Sequence, residues 1–145
     1  MYKKYNTKYF NNRLPDNEEI NFVWSESIRR TAGNCKNKRI KLSIDYHLEH
    51  REEIKITLIH EMIHLLHRGH GKEFKEEMAR LNDNFNLNIN IHTKYSIPKV
   101  RRYKVWCKDC GHIFFKSRKP KKYKDTFHCA KCGGNLDFKR VYKLV

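Results

Sequence analysis

The pentapeptide His60-Glu61-Met62-Ile63-His64 constrains this chain more than any other segment. Residues four apart lie one turn apart on the same face of an α-helix, so a helix here directs the imidazoles of His60 and His64 at one point. Glu61 then lies beside them. Two histidines and a glutamate at this spacing are typical of zinc hydrolases. The segment therefore predicts a metal-binding helix.

The surrounding residues predict that this helix is mostly buried. On a helical wheel of residues 54–66, the apolar side chains cover an arc of roughly 200° and leave one polar strip. That strip holds Thr57, His60, Glu61 and His64. A solvated surface has no need of two histidines one turn apart beside a glutamate, so we interpret the strip as a metal site.

A catalytic zinc usually has three protein ligands, and His70 is the predicted third. On a continuing helix His67 would lie about 10 Å along the axis from His60, too far to share one metal ion with it. Gly69 and Gly71 flank His70 and allow the chain to leave the helix and turn back. The alternative third ligands are carboxylates that we expect to be solvated on the next helix. They are Glu73, Glu76 and Glu77.

Two Cys-x-x-Cys pairs near the C-terminus predict a second metal site. Cys107 and Cys110 form the first pair, Cys129 and Cys132 the second, and 18 residues separate the pairs. Four thiolates at this spacing close a tetrahedral structural site, as in a zinc ribbon. A redox dithiol pair or cysteines buried as apolar residues would not explain two equally spaced pairs.

Positive charge is concentrated in the same part of the chain. Residues 99–145 hold 15 Lys and Arg against 3 Asp and Glu, which is +12 of the net charge of +16. The composition changes at Ser96-Ile97-Pro98, and proline cannot continue a helix. We therefore predict one domain over residues 1–98 and a basic zinc ribbon over residues 99–145.

The cations of the ribbon alternate with aromatic residues. Cations track phosphates and aromatic rings stack on unpaired bases, so the mixture favours single-stranded or distorted nucleic acid as a partner. The simpler alternative is a solvated face above a small aromatic core, to which we assign Phe114, Phe127 and Phe138. The predicted nucleic-acid contacts are Arg101, Arg102, Tyr103, Trp106, Arg118, Lys119, Lys121 and Lys122.

The other histidines and the fifth cysteine carry weaker predictions. We expect His47, His50 and His92 at the surface, since none has a partner at ligand spacing. His67 borders the metal ligands on the wheel and is a candidate for a hydrogen bond to a substrate. Cys35 is expected to be a buried structural thiol.

The predicted fold class is α+β. The expected elements are a helix to about residue 11, strands near 21–24 and 39–43, helices over 51–67 and 72–82, and short strands from about residue 100. We expect the strand over 39–43 to be an edge strand beside the motif helix. An edge strand can pair with an extended peptide backbone.

Together with the motif, the segment His70-Gly71-Lys72-Glu73-Phe74 resembles the SprT-like zinc metallopeptidases. Metzincins share the histidine spacing but have glycine where this chain has His67. The resemblance spans about residues 9–82. Similar segments occur upstream in the family's order: Tyr9-Phe10-Asn11-Asn12-Arg13-Leu14-Pro15, Trp24-Ser25, Thr31-Ala32-Gly33-Asn34-Cys35 and Ile40-Lys41-Leu42-Ser43.

This resemblance implies a zincin-like metallopeptidase domain followed by a small C-terminal zinc ribbon, with two zinc ions per chain, one catalytic and one structural. It implies a metalloprotease that cleaves proteins bound or crosslinked to DNA, a role in DNA–protein crosslink repair, with Glu61 as the base that activates water. Two other classes stay open. One is a general zinc peptidase not linked to DNA, and the other is a non-catalytic nucleic-acid-binding factor with a structural metal.

The sequence predicts no membrane partner. No apolar run approaches the ~18 residues of a spanning helix, and the first residues lack the apolar stretch of a signal peptide. Cysteines in metal-ligand spacing agree with a reducing compartment. We therefore expect a cytoplasmic protein, associated with the nucleoid in a bacterium or nuclear in a eukaryote.

Overall fold

The computed structural model describes residues 1–97, 102–121 and 127–141. Its contacts divide the chain into two compact units, Met1–Pro98 and Lys99–Val145. Each unit contains a three-stranded sheet, and helices lie in the first, so the predicted α+β class is confirmed. Among the residues described, no helix is long and apolar enough to cross a membrane.

Helices surround a small sheet in the first unit. The elements in chain order are α1 (Tyr2–Phe10), β1 (Asn21–Ser25), β2 (Gly33–Lys36), β3 (Arg39–Ser43), α2 (Ile44–Glu49), α3 (Ile54–Ile63) and α4 (Lys72–Phe85), with single 3-10 turns at Asn17–Glu19 and Arg51–Glu53. The sequence did not predict α2. Its N-cap is Ser43, whose hydroxyl accepts a hydrogen bond from the Tyr46 N–H at 3.3 Å.

The strand order corrects one prediction. β3 is the central strand, parallel to β1 and antiparallel to β2, so residues 39–43 are not an edge strand. The edge beside α3 is β2, which sequence reasoning missed because Gly, Asn and Lys are poor strand formers. A two-residue turn joins β2 to β3. Its residues Asn37 and Lys38 have φ of 49° and 57°, as a type I′ hairpin requires.

Helix α3 packs its apolar arc into the core, as predicted. Leu58, Ile59, Met62 and Ile63 are at most 1% exposed. The helix is shorter than predicted, because the hydrogen bonds of Leu65 and Leu66 span three residues instead of four. The N–H of Leu65 donates to the Met62 carbonyl at 3.1 Å, and the N–H of Leu66 donates to the Ile63 carbonyl at 3.0 Å. This tight turn ends the helix before His67.

An ion-pair cluster around the buried carboxylate of Glu77 ties α4 to the chain that follows α1. The Glu77 carboxylate accepts hydrogen bonds from Arg13 and Arg80, each at 2.6 Å, and Arg80 also donates to the Tyr9 carbonyl at 2.7 Å. Burial acts to raise the pKa of Glu77, but the hydrogen bonds from Arg80 and Arg13 outweigh it and lower that pKa. The expectation that Glu77 is solvated is therefore wrong.

We expect Glu77→Gln to lower the free energy of unfolding by about 1–2 kcal/mol at pH 7, because a charge-assisted hydrogen bond is lost and two arginines keep no anionic partner. The folded-state pKa is depressed, so this stabilisation exists above the unfolded-state pKa of about 4.3 and disappears as pH falls through the folded-state value. Urea denaturation at pH 7 and below pH 4 checks this. The exposed Glu76→Gln is the matched control and should change stability by less than about 0.5 kcal/mol.

The second unit is an antiparallel sheet around the cysteine pairs. Its strands are β4 (Tyr103–Cys107), β5 (Ile113–Lys116) and β6 (Leu136–Arg140), in the order β5-β4-β6. A small core forms on one face of this sheet. It comprises Val105, Cys107, Cys129 and Leu136, with Phe114, Phe127 and Phe138 packed against them as predicted.

Candidate functional site

A cleft of about 1240 Å³ opens beside α3 in the first unit. Three segments form its walls: the polar strip of α3, the strand β2 with its hairpin turn, and residues 86–94 after α4. Because apolar residues occupy most of the rest of the α3 surface, burial of that surface directs the polar strip into the cleft.

His60, His64 and His70 meet in this cleft. Nε2 of His70 lies 3.1 Å from Nε2 of His60 and 3.2 Å from Nε2 of His64. The three ligand atoms all lie within 4.8 Å of one another. Gly69, with φ of 67°, lies in the turn that brings His70 back, as the flanking glycines predicted.

Two backbone carbonyls determine which ring nitrogen of His60 and of His64 carries the proton. Nδ1 of His60 donates to the Asn90 carbonyl at 2.9 Å, and Nδ1 of His64 donates to the His67 carbonyl at 3.1 Å. A carbonyl oxygen only accepts, so Nε2 of each ring presents a lone pair to the cluster. Burial and the neighbouring His64 lower the pKa of His60 to about 4, which keeps its ring neutral.

The converging lone pairs fit a zinc ion. Nitrogens that each lie about 2.0–2.1 Å from a tetrahedral zinc are about 3.3–3.4 Å apart, close to the distances found here. A proton on His70 can bridge only one of the two short contacts, whereas a cation at the centre attracts all three lone pairs. Three neutral nitrogens with a fourth side open to the cleft are the donor set of a catalytic zinc site.

Glu61 is buried beside this cluster, with 5% exposure, and burial raises its pKa to about 8. Gly33 on β2 makes room for its side chain. A Cβ added at residue 33 would lie 2.8 Å from Oε1 of Glu61 and 3.0 Å from the methyl group of Thr57. The role of Gly33 was not predicted, although a glycine inside a strand is a known sign of close approach.

Asn82 on α4 supports the cleft wall that holds His60. Its side-chain amide pairs with both backbone groups of Ile89: the Ile89 N–H donates to Oδ1 at 2.8 Å, and Nδ2 donates to the Ile89 carbonyl at 3.0 Å. Ile89 itself is 1% exposed. These bonds fix the residue before Asn90, whose carbonyl orients His60. Sequence reasoning missed Asn82 because nothing in the local pattern distinguishes it from other polar helix residues.

We expect Asn82→Ala to weaken zinc binding at the histidine site by about ten-fold, the lower end of the 10–100-fold effect of outer-shell changes. The released backbone no longer holds the Asn90 carbonyl against His60. Competition with a chromogenic chelator measures the affinity, and cobalt substitution reports the ligand geometry. Asn84→Ala, at an exposed position of the same helix, should leave both unchanged. Equal affinities for the two variants would contradict this role.

The other predicted histidines have structural roles. His47 is 2% exposed, which corrects its expected surface position. Its Nδ1 donates to the Ser43 carbonyl at 2.7 Å and its Nε2 accepts from the Thr57 hydroxyl at 3.0 Å. His50 is half-buried and stacks on Tyr95, with ring centroids 4.0 Å apart. The predicted surface position holds for His92.

The side chains of the alternative ligands and of the remaining candidates are not among the donors of the histidine cluster. The side chain of Glu73 is 80% exposed, and its carboxylate is 3.4 Å from the His67 ring. Glu76 faces Lys72 at 3.8 Å. His67 is not among the residues that line the cleft and contributes its carbonyl instead. Cys35 is half-buried in the cleft, where burial and the nearby Glu61 raise its pKa to about 11.

The four cysteines of the second unit form another compact donor set. The four sulfurs lie within 4.8 Å of one another, with 3.4 Å between Cys107 and Cys132 and 3.6 Å between Cys110 and Cys129. Sulfurs about 2.3 Å from a tetrahedral zinc are about 3.8 Å apart. Backbone N–H groups of Cys110 and Gly134 donate to Sγ of Cys107 and Cys132, as suits thiolates. The set fits a closed structural zinc.

The predicted nucleic-acid contacts that the structure describes do not share one surface. Arg101 and Lys122 lie outside the described residues. Tyr103 packs edge-on against Phe138 on the core side, and Arg102 is only 8% exposed. Arg102 therefore lacks the exposed position that a nucleic-acid contact requires. The exposed cations of the set are Arg118, Lys119 and Lys121.

Trp106 lies on the opposite side of the sheet from the core. Its cross-strand neighbour is Ile113, and Lys104 pairs with Phe115 and Lys139. Ile113 and Phe115 are 49% and 43% exposed. We call this surface the aromatic face. It comprises Lys104, Trp106, Ile113, Phe115 and Lys139, with Asp137 also on it.

Comparison with known proteins identifies the family of this chain. The SprT-like family model matches residues 1–94, and the chain belongs to this family. Over 153 residues it is 32% identical to the germ cell nuclear acidic protein of Drosophila melanogaster, covering 94% of this chain and 14% of that protein. Over 163 residues it is 28% identical to the DNA-dependent metalloprotease SPRTN of Danio rerio, covering 92% of this chain and 25% of that protein. The chain thus spans a quarter or less of each relative.

Proposed function

We propose that this chain is a zinc metalloprotease of SprT type, with a zincin-like catalytic unit, that cleaves proteins bound or crosslinked to DNA. One observation carries the catalytic part. The lone pairs of His60, His64 and His70 converge in a cleft, with the buried carboxyl group of Glu61 beside them. Such a function requires a location with access to DNA, the nucleoid of a bacterium or the nucleus of a eukaryote.

Glu61 is the general base of the proposed reaction. When bound to the three histidines, zinc supplies a Lewis acid that polarises the scissile carbonyl and makes water more acidic. Glu61 takes the proton of the attacking water and passes it to the leaving amine. Burial raises the pKa of Glu61 to about 8, so its carboxylate, once ionised, is a stronger base than a solvated one. Gly33 leaves the space that this carboxylate occupies.

The substrate backbone is proposed to pair with β2. This strand is the edge of the sheet on the side of α3, and it lines the cleft. An extended peptide that adds to it places a scissile bond close to Glu61, because Gly33 on this strand contacts that side chain. Backbone pairing fixes the register of a peptide with little selection for its side chains.

The second unit is proposed to be a zinc ribbon that contacts nucleic acid. Its four cysteines fit a structural zinc, so the chain would hold two zinc ions in all. Exposed rings between lysines on the aromatic face suit the stacking of unpaired bases, and the exposed cations Arg118, Lys119 and Lys121 suit phosphates. The name of one relative, DNA-dependent metalloprotease, agrees with this partner.

We expect Glu61→Gln to abolish peptide hydrolysis while the protein keeps two zinc ions, since the amide removes the base and leaves both donor sets intact. Inductively coupled plasma mass spectrometry counts the metal, and a fluorogenic peptide reports hydrolysis. His64→Gln is the comparison and should lose both the activity and one zinc ion. An active, fully loaded Glu61→Gln protein would refute the catalytic assignment.

We expect single-stranded DNA to stimulate cleavage of a DNA-binding protein, and the stimulation to fade with added salt. Trp106→Ala should weaken DNA binding by at least about five-fold, because stacking contributes about 1–3 kcal/mol per base. Trp24→Ala, an exposed tryptophan of the first unit, is the control. Cleavage indifferent to DNA would indicate a general peptidase. Tight DNA binding without any cleavage would indicate a non-catalytic factor.

A further inference from the structure

The side of the first sheet that faces away from α3 carries polar and cationic residues. Residues paired across two strands project their side chains to the same side of the sheet. Lys36 pairs with Arg39, and Asn34 pairs with Lys41, so these side chains share one side. On the other side of β3, Ile40 and Leu42 are fully buried. We call the outward surface the outer sheet face. It comprises Asn21, Asn34, Lys36, Arg39 and Lys41 together with Asn37 of the hairpin turn. Val23, the partner of Lys41 on β1, is an apolar residue on the same side.

A shallow concavity of about 370 Å³ lies on this face. Three amide side chains and three cations line it, and no carboxylate does. The cations are Lys36, Arg39 and Lys41. Among the residues that the structure describes, none of these three has a carboxylate within ion-pair distance, whereas their neighbour Lys38 is paired with Glu19 at 3.1 Å. The concavity therefore presents hydrogen-bond donors and uncompensated positive charge.

The composition of the first unit makes this concentration of charge informative. Residues 1–98 hold 17 Lys and Arg against 13 Asp and Glu, so the unit as a whole is close to balanced. Carboxylates occur elsewhere on its surface, at Glu18, Glu49 and Glu73 for example. A face with three cations and no acid thus reflects local segregation of charge, which is the usual feature of a surface that binds a polyanion.

We propose that the outer sheet face binds the phosphate backbone of a nucleic acid. Arg39 and Lys41 are two residues apart on β3, about 6.6 Å along the strand, and Lys36 lies about 5 Å across from Arg39. Cations repeated at these distances match a chain of regularly spaced phosphates, and asparagine amides donate to phosphate oxygens. Contacts to phosphates carry no sequence information, so we expect this binding to be independent of sequence. That the polyanion is a nucleic acid rests on the proposed function.

This face borders the cleft. Asn34, Lys36 and Asn37 line both the concavity and the cleft, because β2 and its turn form the ridge between the two. A nucleic acid on the outer sheet face therefore lies beside the edge at which a substrate backbone is proposed to pair. A protein attached to that nucleic acid is then held close to Glu61 before its chain enters the cleft.

DNA binding in the Glu61→Gln background tests this surface without any hydrolysis, so failure of the peptidase proposal leaves the result interpretable. Fluorescence anisotropy of labelled single-stranded and duplex DNA gives Kd over a series of KCl concentrations. The variant combines Lys36→Gln, Arg39→Gln and Lys41→Gln. The control removes the same charge from exposed positions of α1. It combines Lys3→Gln, Lys4→Gln and Lys8→Gln.

We expect the sheet variant to bind at least about ten-fold more weakly than the control and to lose about 2–3 from the slope of log K against log salt, since each phosphate contact contributes about 0.7–0.9. Equal losses in both variants would show a general effect of net charge and overturn the proposal. If the triple variant does not fold, Lys36→Gln alone should lower the slope by about 0.7–0.9, and an unchanged slope overturns the proposal too.

A poly-glutamate peptide distinguishes the kind of polyanion. When the outer sheet face is unchanged, we expect the protein to bind DNA. Poly-glutamate at the same concentration of negative charges should displace that DNA only poorly. If the sheet variant loses affinity for poly-glutamate and keeps its affinity for DNA, the face is a docking surface for acidic peptides and the proposal is wrong.

Discussion

Burial of the apolar arc of α3 is the interaction on which the rest of the structure depends. Four of its side chains, Leu58, Ile59, Met62 and Ile63, are at most 1% exposed. Each contributes about 1.5–3 kcal/mol relative to an exposed position, so together they supply roughly 6–12 kcal/mol. Burial of a polar group without its full set of partners costs about 1–3 kcal/mol. Glu61 and three imidazoles together cost roughly 4–12 kcal/mol on this scale, so apolar packing is of the size needed to offset the cost of holding them in one cleft.

The parts of the site that follow from helix geometry were predictable from the sequence. A spacing of four residues places His60 and His64 on one face, and the apolar positions around them show which face is buried. Gly69 marked the turn that returns His70. The cysteine spacing likewise placed four sulfurs together, because two cysteines three positions apart can share one tetrahedral ion. Each of these predictions depends on short-range geometry and residue chemistry alone.

What the sequence could not show depends on contacts distant in the chain. Residues 39–43 form a central strand because β2 pairs with β3. The sequence did not reveal β2, since its weak strand formers show no alternation of apolar and polar residues. Asn82 supports the site through hydrogen bonds to the backbone of Ile89, seven residues further along the chain. His47 is buried because Ser43 and Thr57 satisfy both ring nitrogens. Arg102 is buried just before β4, although arginine usually lies at the surface.

The acceptors that orient His60 and His64 are carbonyls of the main chain, at Asn90 and His67. A point mutation at either residue changes its side chain and leaves the carbonyl in place. The geometry of the donor set is therefore tolerant of residue identity at these two positions and sensitive to loop length. Insertions or deletions between residues 64 and 70, or between 86 and 92, are the changes that evolution of this domain should have avoided.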